Sequence, residues 1–391
     1  MKVCHLITRM IVGGAQENTF LSARGLHEAG HETVLMTGPS PGPEGELLRQ
    51  CGRIDFRVEE CPTLCREIDP VRDLQSYRAL VKFFKAEKFD VVHTHASKAG
   101  IIGRYAARAA GVPLVVHTVH GLPFSRIYPA WKNAVYIQLE RMAAKRCDRI
   151  YAVAQDMIDQ CLRNHIGRPG MFKVVYSGME LEPFLTTAPE FELRRSLGIP
   201  DSAKVVGTLA RLFPMKGYVE LWRSIPEIIR RVPDVHFLLI GNGILREQLE
   251  AEAVERGFRD RLSFAGLVPP AQVPRYLALT DILVHFSMRE GLPRAAVQAL
   301  AMKKPVVAFD IDGTREVVLN GKTGYLLQPG GGTPGVEEIS ELLLNDDKRR
   351  AFGEAGRELV KPRFDWRTMS DTLISEYTRC LELKKNGQPM P

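Results

Sequence analysis

The stretch FDVVHTHASKAGIIGRYAARAAGVPLVVHTV, residues 89–119, contains two short apolar runs separated by a segment of helix length. The runs are FDVVHTH (89–95) and PLVVHTV (113–119), and the segment between them, KAGIIGRYAARAAG, has helical spacing of its apolar residues. Continuous apolar runs of this length are typical of strands buried on both faces. A strand, a helix and a second strand in this order predict two parallel strands joined by a helical crossover.

The same alternation continues along all 391 residues. Further strand-like runs in the first half are VCHLIT (3–8), TVLMTG (33–38), IDFRVE (54–59), RIYAVA (149–154) and FKVVYSG (172–178). Those in the second half are KVVGTLA (204–210), VHFLLIG (235–241), RLSFAG (261–266), DILVHFS (281–287), KPVVAFD (304–310) and TGYLLQP (323–329). This rhythm predicts an α/β fold with two Rossmann-like, doubly wound parallel sheets that face a ligand cleft.

The boundary between the two predicted domains lies in LEPFLTTAPEFELRRSLGIPDSAK (181–204), which is rich in Pro, Thr and Ser. We expect an N-terminal domain over residues 1–182, a linker at 183–190 and a C-terminal domain over 191–363. The amphipathic segment 364–385 predicts a closing helix that packs back across the N-terminal domain. We expect residues 386–391 to form a disordered tail.

Composition indicates an ordinary globular protein, with 45% hydrophobic and 25% charged residues. No apolar run approaches the roughly 18–20 residues that span a bilayer, and the first ten residues are too short for a secretory signal. The seven cysteines form no Cys-x-x-Cys pair. We therefore expect a cytoplasmic, reduced protein with no bound metal, and no nucleic-acid partner, because aromatic and basic residues are not interleaved.

Positive charge is concentrated in residues 91–150, which hold nine Lys and Arg against two acids. That segment alone accounts for the net charge of +7. A basic face suits phosphate groups or an anionic membrane, so one expectation is peripheral binding at the inner face of the plasma membrane. Lys132, Arg141, Lys145 and Arg149 are spaced mostly four apart, as on one helix face. Solvated helix faces explain the same charges equally well.

Loops after strands should carry the chemistry, because ligands of such sheets bind at the carboxyl ends of the strands. Gly13 and Gly14 follow the first strand, where glycine lets backbone approach a phosphate, although a plain tight turn explains the pair as well. His117 and His120 lie near the end of the 113–119 strand and suit either sugar hydroxyls or packing. No G-x-G-x-x-G motif is present, which disfavours a nicotinamide oxidoreductase.

The second half offers a diphosphate clamp in ARLFPMKG, where Arg211 supplies a planar fork and Lys216 a point charge. Two further loops could approach a phosphate or a base: Gly241 with Gly243, and Gly266 to Val268. In REGLPRAAVQALAMKKPVV (289–307), Glu290 precedes a helix that carries Gln298. Eight helical residues rotate about 80° beyond two turns, so both side chains can edge one cleft.

In their order along the chain, these motifs resemble family 4 of the glycosyltransferases, which have the GT-B architecture of two Rossmann-like domains. The resemblance covers nearly the whole chain and rests on the Gly13-Gly14 loop, HTVHG, ARLFPMKG, GNG, REGLPRAAVQALAMKKPVVAFD, DGTREVV and the closing helix with Phe364 and Trp366. HTHASKAGIIGRYAARAAGVPLVVHTVHG and EGLPRAAVQAL look most like bacterial members that build exopolysaccharide or glycan repeat units.

The resemblance implies a retaining transferase that needs no metal or cofactor and whose donor substrate is a nucleotide-sugar, here a UDP-sugar. We expect an acceptor that is a saccharide or is lipid-linked, the latter because the basic segment 91–150 suits a membrane face. The resemblance implies these roles: Arg211 and Lys216 hold the diphosphate, Glu290 with the amides of Gly291 and Leu292 contacts the sugar, position 298 contacts the ribose, Gly13 and Gly14 approach the phosphates, and His120 lies near the transferred sugar. The GNG turn with Gly241 and Gly243, and Gly266 with Val268, complete the expected donor-binding set.

Two departures from the family pattern stand out. The usual Glu-x7-Glu reads Glu290-x7-Gln298, and the usual Asn-Gly after the last N-domain strand reads Ser177-Gly178. Gln298 leaves open an inactive sugar-nucleotide-binding protein, whereas the intact Arg211, Lys216 and Glu290 favour an enzyme. A sugar-nucleotide epimerase of the same architecture remains an alternative.

Overall fold

The computed structural model describes residues 1–40, 47–125 and 128–390. The chain forms two compact units, Met1–Met179 with Phe364–Pro391, and Glu180–Arg363. We call them unit 1 and unit 2. No helix within the described ranges has the length and apolar character needed to cross a bilayer.

Unit 1 is built around a seven-stranded sheet in the order β3-β2-β1-β4-β5-β6-β7, in which all neighbouring strands run parallel. Its strands are β1 Lys2–Ile7, β2 Glu32–Thr37, β3 Arg57–Glu60, β4 Val91–His95, β5 Leu114–Val119, β6 Arg149–Ala152 and β7 Phe172–Val174. Its first five helices are α1 Gly14–Glu28, α2 Pro70–Glu87, α3 Ser97–Ala109, α4 Ala130–Ala144 and α5 Gln155–Arg163. Apolar clusters cover both faces of the sheet, so the central strands are buried on both sides.

Unit 2 is built around a six-stranded parallel sheet in the order β10-β9-β8-β11-β12-β13. Its strands are β8 Lys204–Leu209, β9 Val235–Ile240, β10 Leu262–Gly266, β11 Ile282–His285, β12 Val306–Phe309 and β13 Gly324–Leu327. Its helices are α6 Glu182–Thr186, α7 Phe191–Ser196, α8 Tyr218–Arg231, α9 Arg246–Glu255, α10 Val273–Ala278, α11 Arg294–Ala301, α12 Val336–Leu344 and α13 Asp346–Arg363. The prediction of two doubly wound parallel sheets is confirmed.

The final helix, α14 Trp366–Lys385, belongs to unit 1. Asp365 caps its start by accepting a 2.8 Å hydrogen bond from the amide of Arg367. Trp366, Met369, Leu373, Tyr377 and Cys380 recur every three or four residues and are buried in the core beside α1. At Gly25 of α1 a Cβ would lie 2.0 Å from Ser370 Oγ, so only glycine allows the two helices to approach this closely.

The expected linker contains a helix, and the expected tail contains a backbone hydrogen bond. The range 183–190 includes most of α6, because Pro183 suits the first turn of a helix and Phe184 is buried. That helix belongs to unit 2, where the Leu185 carbonyl accepts a 3.2 Å bond from Arg357. In the tail, the amide of Gln388 donates to Leu383 at 2.8 Å. Residue 391 lies outside the described residues.

Candidate functional site

The unit 2 site lies at the point where the order of its strands reverses, between β8 and β11. Ligands of open parallel sheets bind beside such a switch point, because the connections on either side diverge to opposite faces. The loop after β8 carries Arg211 and Lys216, and the loop after β11 carries Ser287 and Glu290. Lys216 is thus brought to Ser287 and Glu290, which lie 71 and 74 residues away in sequence.

Lys216 and Glu290 form the centre of this site. Lys216 Nζ donates to Glu290 Oε1 at 2.6 Å and lies 3.3 Å from Ser287 Oγ. His285 Nε2 lies 3.2 Å from the same Glu290 oxygen, and both side chains are largely buried. Burial raises the pKa of Glu290, but the nearby His285 ring and the hydrogen bond and charge of Lys216 outweigh it and lower the pKa to about 2. Glu290 is therefore held as a carboxylate.

The segment after Glu290 leads directly into α11. The amide of Glu290 donates to Asp312 Oδ2 at 2.8 Å, which fixes the loop before the helix. Among the described residues, the amides of Gly291 and Leu292 have no hydrogen-bond acceptor. Gln298 lies on α11, is partly exposed, and likewise has no hydrogen-bond partner for its carboxamide in the described ranges. These groups can take ligand oxygens without first breaking a protein bond.

Arg211 is exposed, and its guanidinium lies 5.0 Å from the ring of Phe213. The loop that carries it is fixed by the Gly-Asn-Gly turn, because Leu212 N donates to Asn242 O and Leu245 N donates to Leu212 O, each at 3.0 Å. In the part of the chain that the structure describes, Arg211 has no carboxylate partner. Its charge is therefore available for an anion.

The glycines of the neighbouring loop are required by packing. A Cβ at Gly241 would lie 2.1 Å from Ala210 O, and one at Gly243 would lie 2.4 Å from Leu212 O. Gly266 ends β10 with φ +73°, forms an isolated bridge with Gly241, and is followed by a half-buried Val268. These residues support the Arg211 loop, and their expected role in contacting the nucleotide stays a prediction.

The glycine pair of unit 1 also follows a strand at a switch point, between β1 and β4, whereas the candidate histidines belong to β5, the next strand, and the loop after it. Gly13 is the residue before α1 and Gly14 is its first residue, so the helix begins at the predicted glycine pair. His117 is buried at the end of β5, whereas His120 is half-buried just beyond it, and both line a cavity of about 280 Å³. Ala96, which also lines the cavity, has φ +61°, a backbone strain that is concentrated at functional sites.

A buried histidine cluster behind this cavity was not identified from the sequence. His5 of β1 pairs in register with His93 of β4, and His95 lies on the same face two residues later. All three are fully buried, and burial lowers the pKa of each. The alternation in VVHTH gave a signal for His93 and His95, but only the strand register brings His5 to them.

Part of the positive charge of segment 91–150 is buried in ion pairs inside unit 1. Arg104 is fully buried and pairs with Glu140 at 2.7 Å, and Arg149 pairs with Glu376 at 3.2 Å. Arg149 therefore does not share the exposed face predicted for it, because it is buried between the sheet and α14. Arg126 lies outside the described residues. Lys132, Arg141 and Lys145 remain on or next to α4.

Comparison with known proteins identifies the family. Residues 12–183 match the family model described as Glycosyltransferase Family 4, and residues 189–359 match Glycosyl transferases group 1. A galactosyltransferase of Escherichia coli, UDP-Gal:alpha-D-GlcNAc-diphosphoundecaprenol alpha-1,3-galactosyltransferase, is 31% identical over 84% of each chain. The capsular polysaccharide glycosyltransferase CapM of Staphylococcus aureus is 24% identical over 87% of this chain and 89% of its own.

Among solved structures, HepE of Anabaena in complex with UDP superposes with a TM-score of 0.80 at 22% identity, covering 97% of this chain and all of HepE. A sucrose-phosphate synthase of Thermosynechococcus elongatus gives a TM-score of 0.78 at 19% identity, over 98% of this chain and all of that one. These likenesses show the fold. Together with the two family models and the relative at 31% identity, they show that this chain belongs to glycosyltransferase family 4 and has the GT-B fold.

Proposed function

We propose that this chain is a retaining glycosyltransferase that transfers a sugar from a UDP-sugar to a saccharide or lipid-linked acceptor during assembly of a cell-surface polysaccharide. The observation that carries the proposal is the Lys216–Glu290 pair at the unit 2 switch point, with an exposed arginine on the same loop as the lysine. The names of the E. coli and S. aureus relatives, a UDP-galactose transferase and a capsular polysaccharide enzyme, support the donor and the pathway class.

Donor binding assigns a distinct role to each polar group. The diphosphate binds Arg211 and draws Lys216 away from Glu290, so the carboxylate becomes free to accept hydroxyls of the sugar. The amides of Gly291 and Leu292 donate to the same sugar, and the carboxamide of Gln298 binds the ribose. In unit 1, we assign Gly13 and Gly14 to the phosphates and His120 to the transferred sugar.

The reaction needs stabilisation of charge more than a protein base. The bond between the anomeric carbon and the phosphate oxygen breaks, and the acceptor oxygen bonds to that carbon on the same face. Attack on the same face retains the anomeric configuration, and the acceptor proton passes to the departing phosphate oxygen. We propose that two protein cations take the place of a metal. Arg211 and Lys216 stabilise the diphosphate as its charge grows, and the ionised Glu290 stabilises positive charge on the sugar.

The α4 surface supports an acceptor held at the cytoplasmic face of a membrane. Trp131, Val135, Leu139 and Met142 are exposed by 71%, 50%, 38% and 45%. Their spacing places them within an arc of about 80° on α4, with Lys132 on one side of the arc and Arg141 and Lys145 on the other. An exposed apolar stripe between cations suits the interface of an anionic bilayer.

The decisive experiment is a donor panel screened by thermal shift and then by transfer to a polyprenyl-diphosphate-linked sugar. We expect UDP and one UDP-sugar to raise the Tm, and the product to keep the donor's anomeric configuration when read by NMR, with activity unchanged by EDTA. A donor consumed without any acceptor, giving an epimerised sugar, would indicate the epimerase instead. Binding of UDP with no turnover of any donor would indicate an inactive binding protein.

The membrane part has its own test. Purified protein should sediment with anionic vesicles at low salt, and W131S combined with M142S should weaken that binding several-fold. The matched control is I244S, which changes an exposed apolar residue of unit 2. If wild type does not sediment with anionic vesicles, the membrane assignment fails while the transferase assignment stands.

A further inference from the structure

Three histidines, two fully buried and one half-buried, form a continuous hydrogen-bonded row that ends at the unit 1 cavity. His5 Nδ1 lies 3.0 Å from His95 Nε2, and His95 Nδ1 lies 3.0 Å from His120 Nε2. The rings are stacked, with centroids 5.2 Å apart for His5 and His95 and 5.3 Å apart for His95 and His120. His120 lines the cavity, so the row connects the sheet interior to that cavity.

The far end of the row decides the direction of its hydrogen bonds. His5 Nε2 is buried and has no hydrogen-bond partner within the described residues. If the row ran with His120 donating inward, His5 Nε2 would carry a proton, leaving a buried N–H without an acceptor. A buried donor without an acceptor is rarer and costlier than an unused lone pair. The favoured direction therefore runs outward, with His5 Nδ1–H donating to His95 and His95 Nδ1–H donating to His120.

We propose that His5 and His95 are positioning residues that hold His120 as the neutral tautomer protonated at Nδ1, so that it donates a hydrogen bond to a sugar oxygen and does not act as a base. The His120 Nε2 lone pair is occupied by the His95 donor and cannot take a proton from the acceptor. This inference rests on the proposed function for its consequence in catalysis. It also agrees with the acceptor proton leaving on the departing phosphate.

The surroundings of the row favour neutral rings. The groups that pack around it are His93 beside His95 on β4, His117 on β5, Tyr151 on β6, Tyr377 on α14 and, behind His117, Arg104 on α3. Glu140 on α4 is the carboxylate that lines the same cavity as His120, and it is paired with Arg104 at 2.7 Å rather than with a ring of the row. Burial lowers the pKa of His5 to about 3 and that of His95 well below its ordinary value.

A metal site is the competing interpretation of the same histidines. The ring nitrogens of His5, His93 and His95 lie within 4.8 Å of one another. Both nitrogens of His93 are already engaged, Nδ1 with Tyr377 Oη at 2.5 Å and Nε2 with Thr118 Oγ1 at 2.6 Å. Both nitrogens of His95 are engaged within the row. Ligation would break several of these bonds and bury a dication among neutral ligands, so the hydrogen-bonded row is favoured.

The direct test reads the tautomers in substrate-free protein. Selective ¹⁵N labelling of the ten histidines, assigned through single His→Gln variants, distinguishes protonated from unprotonated ring nitrogens. We expect His5, His95 and His120 each to carry the proton on Nδ1. A His120 protonated at Nε2, or stoichiometric Zn²⁺ binding that H5Q abolishes, would overturn the proposal. Because no substrate is present, this result is independent of whether the transferase assay succeeds.

The catalytic consequence is tested with two variants of the middle ring. H95L removes both bonds of the row, and we expect kcat to fall about tenfold with KM for the donor changed less than about twofold. We also expect kcat/KM to gain an acid limb in the range where histidine titrates, because His120 Nε2 loses its donor. In H95Q, the carboxamide can accept from His5 and donate to His120, so most of the lost rate should return.

The matched control is H236Q, which removes a buried histidine of unit 2 that bonds Ser263 Oγ at 2.8 Å. It tests whether loss of any buried histidine produces the same kinetic change. An equal fall in kcat for H95L and H95Q, with no change in pH profile, would mean that His95 supports packing alone and would overturn the positioning role. Folded fractions are compared by circular dichroism before the kinetics are interpreted.

Discussion

Lys216 and Glu290 are joined by a 2.6 Å ion pair although 74 residues separate them in sequence. The pair brings together the two loops that flank the unit 2 switch point, and it neutralises Lys216 before any substrate binds. In the proposed donor complex, a phosphate takes over the ammonium and leaves Glu290 beside His285, whose Nε2 lies 3.2 Å from the carboxylate. The proposal therefore links phosphate binding to the freeing of a carboxylate for the sugar in one exchange.

Removing either cation of the proposed clamp should weaken donor binding. We expect K216A and R211A each to reduce the free energy of UDP binding by about 1.5–3 kcal/mol, as for charge-assisted hydrogen bonds. Isothermal titration with UDP measures the change. The control is K303A, which removes another Lys–Glu pair of unit 2, 2.6 Å between Lys303 and Glu354. Unchanged affinity in both clamp variants would remove the assignment.

Two substitutions at position 298 test whether this side chain acts through hydrogen bonding or through charge. We expect Q298E to keep activity, because either side chain can accept from a ribose hydroxyl, and Q298L to lose nucleotide affinity. Titration with UDP and steady-state assays measure the two effects. The carboxamide makes no protein hydrogen bond in the described ranges, so Q298L breaks no such bond. UDP binding by Q298L equal to that of wild type would place position 298 outside the site.

The ionised Glu290 should add acid sensitivity to unit 2. The interactions with His285 and Lys216 lower its pKa from 4.5 to about 2, so its stabilising effect is complete above pH 4.5 and is lost as the pH falls toward 2. We expect the unfolding free energy of wild type to fall more steeply between pH 4.5 and 2.5 than that of E290Q. Urea titrations at several pH values measure the slopes, with the surface variant E354Q as control. Parallel slopes for wild type and E290Q would contradict the ion-pair account.

The neutral histidines of unit 1 should make that unit lose stability at a higher pH than the range in which Glu290 is protonated. Burial lowers the pKa of His5, His93, His95 and His117 below 6.5, so the unfolded chain binds protons that the folded unit excludes. Stability is therefore present above pH 6.5 and is lost as the pH falls below it. Each such histidine should cost about 1.4 kcal/mol of unfolding free energy between pH 7.5 and 5.5.

The measurement is urea unfolding at both pH values for wild type and H5Q. The variant removes one histidine that binds a proton only in the unfolded chain. Its loss of unfolding free energy between the two pH values should therefore be smaller by the contribution of one histidine. Identical pH dependence in H5Q and wild type would show that His5 is not held neutral in the folded protein.

Much of this architecture is predictable because it is local. Each buried strand is a continuous apolar run, each crossover helix has its own periodicity, and candidate side chains follow strands at the edge where ligands of parallel sheets bind. Arg211, Lys216 and Glu290 were identified in this way. Their mutual contact depends on β8 lying next to β11, which the loop sequences do not encode.

What the sequence did not predict depends on contacts between distant segments. His5 and His93 become neighbours only through the register of β1 with β4, 88 residues apart. His285 looked like part of an apolar strand, and its approach to Glu290 is fixed by the turn that follows. The basic segment looked like one exposed face because Arg104 and Arg149 give no local sign of their buried partners, Glu140 and Glu376.

The position of α14 has a consequence for how the protein is made. Trp366, Tyr377 and their neighbours complete the core of unit 1, yet they are synthesised after the whole of unit 2. The N-terminal unit cannot close its core while it emerges from the ribosome, whereas Glu180–Arg363 already contains all six strands of its own sheet. Co-translational folding should therefore run against the usual order, with the second unit structured first and the first unit held incomplete until α14 arrives.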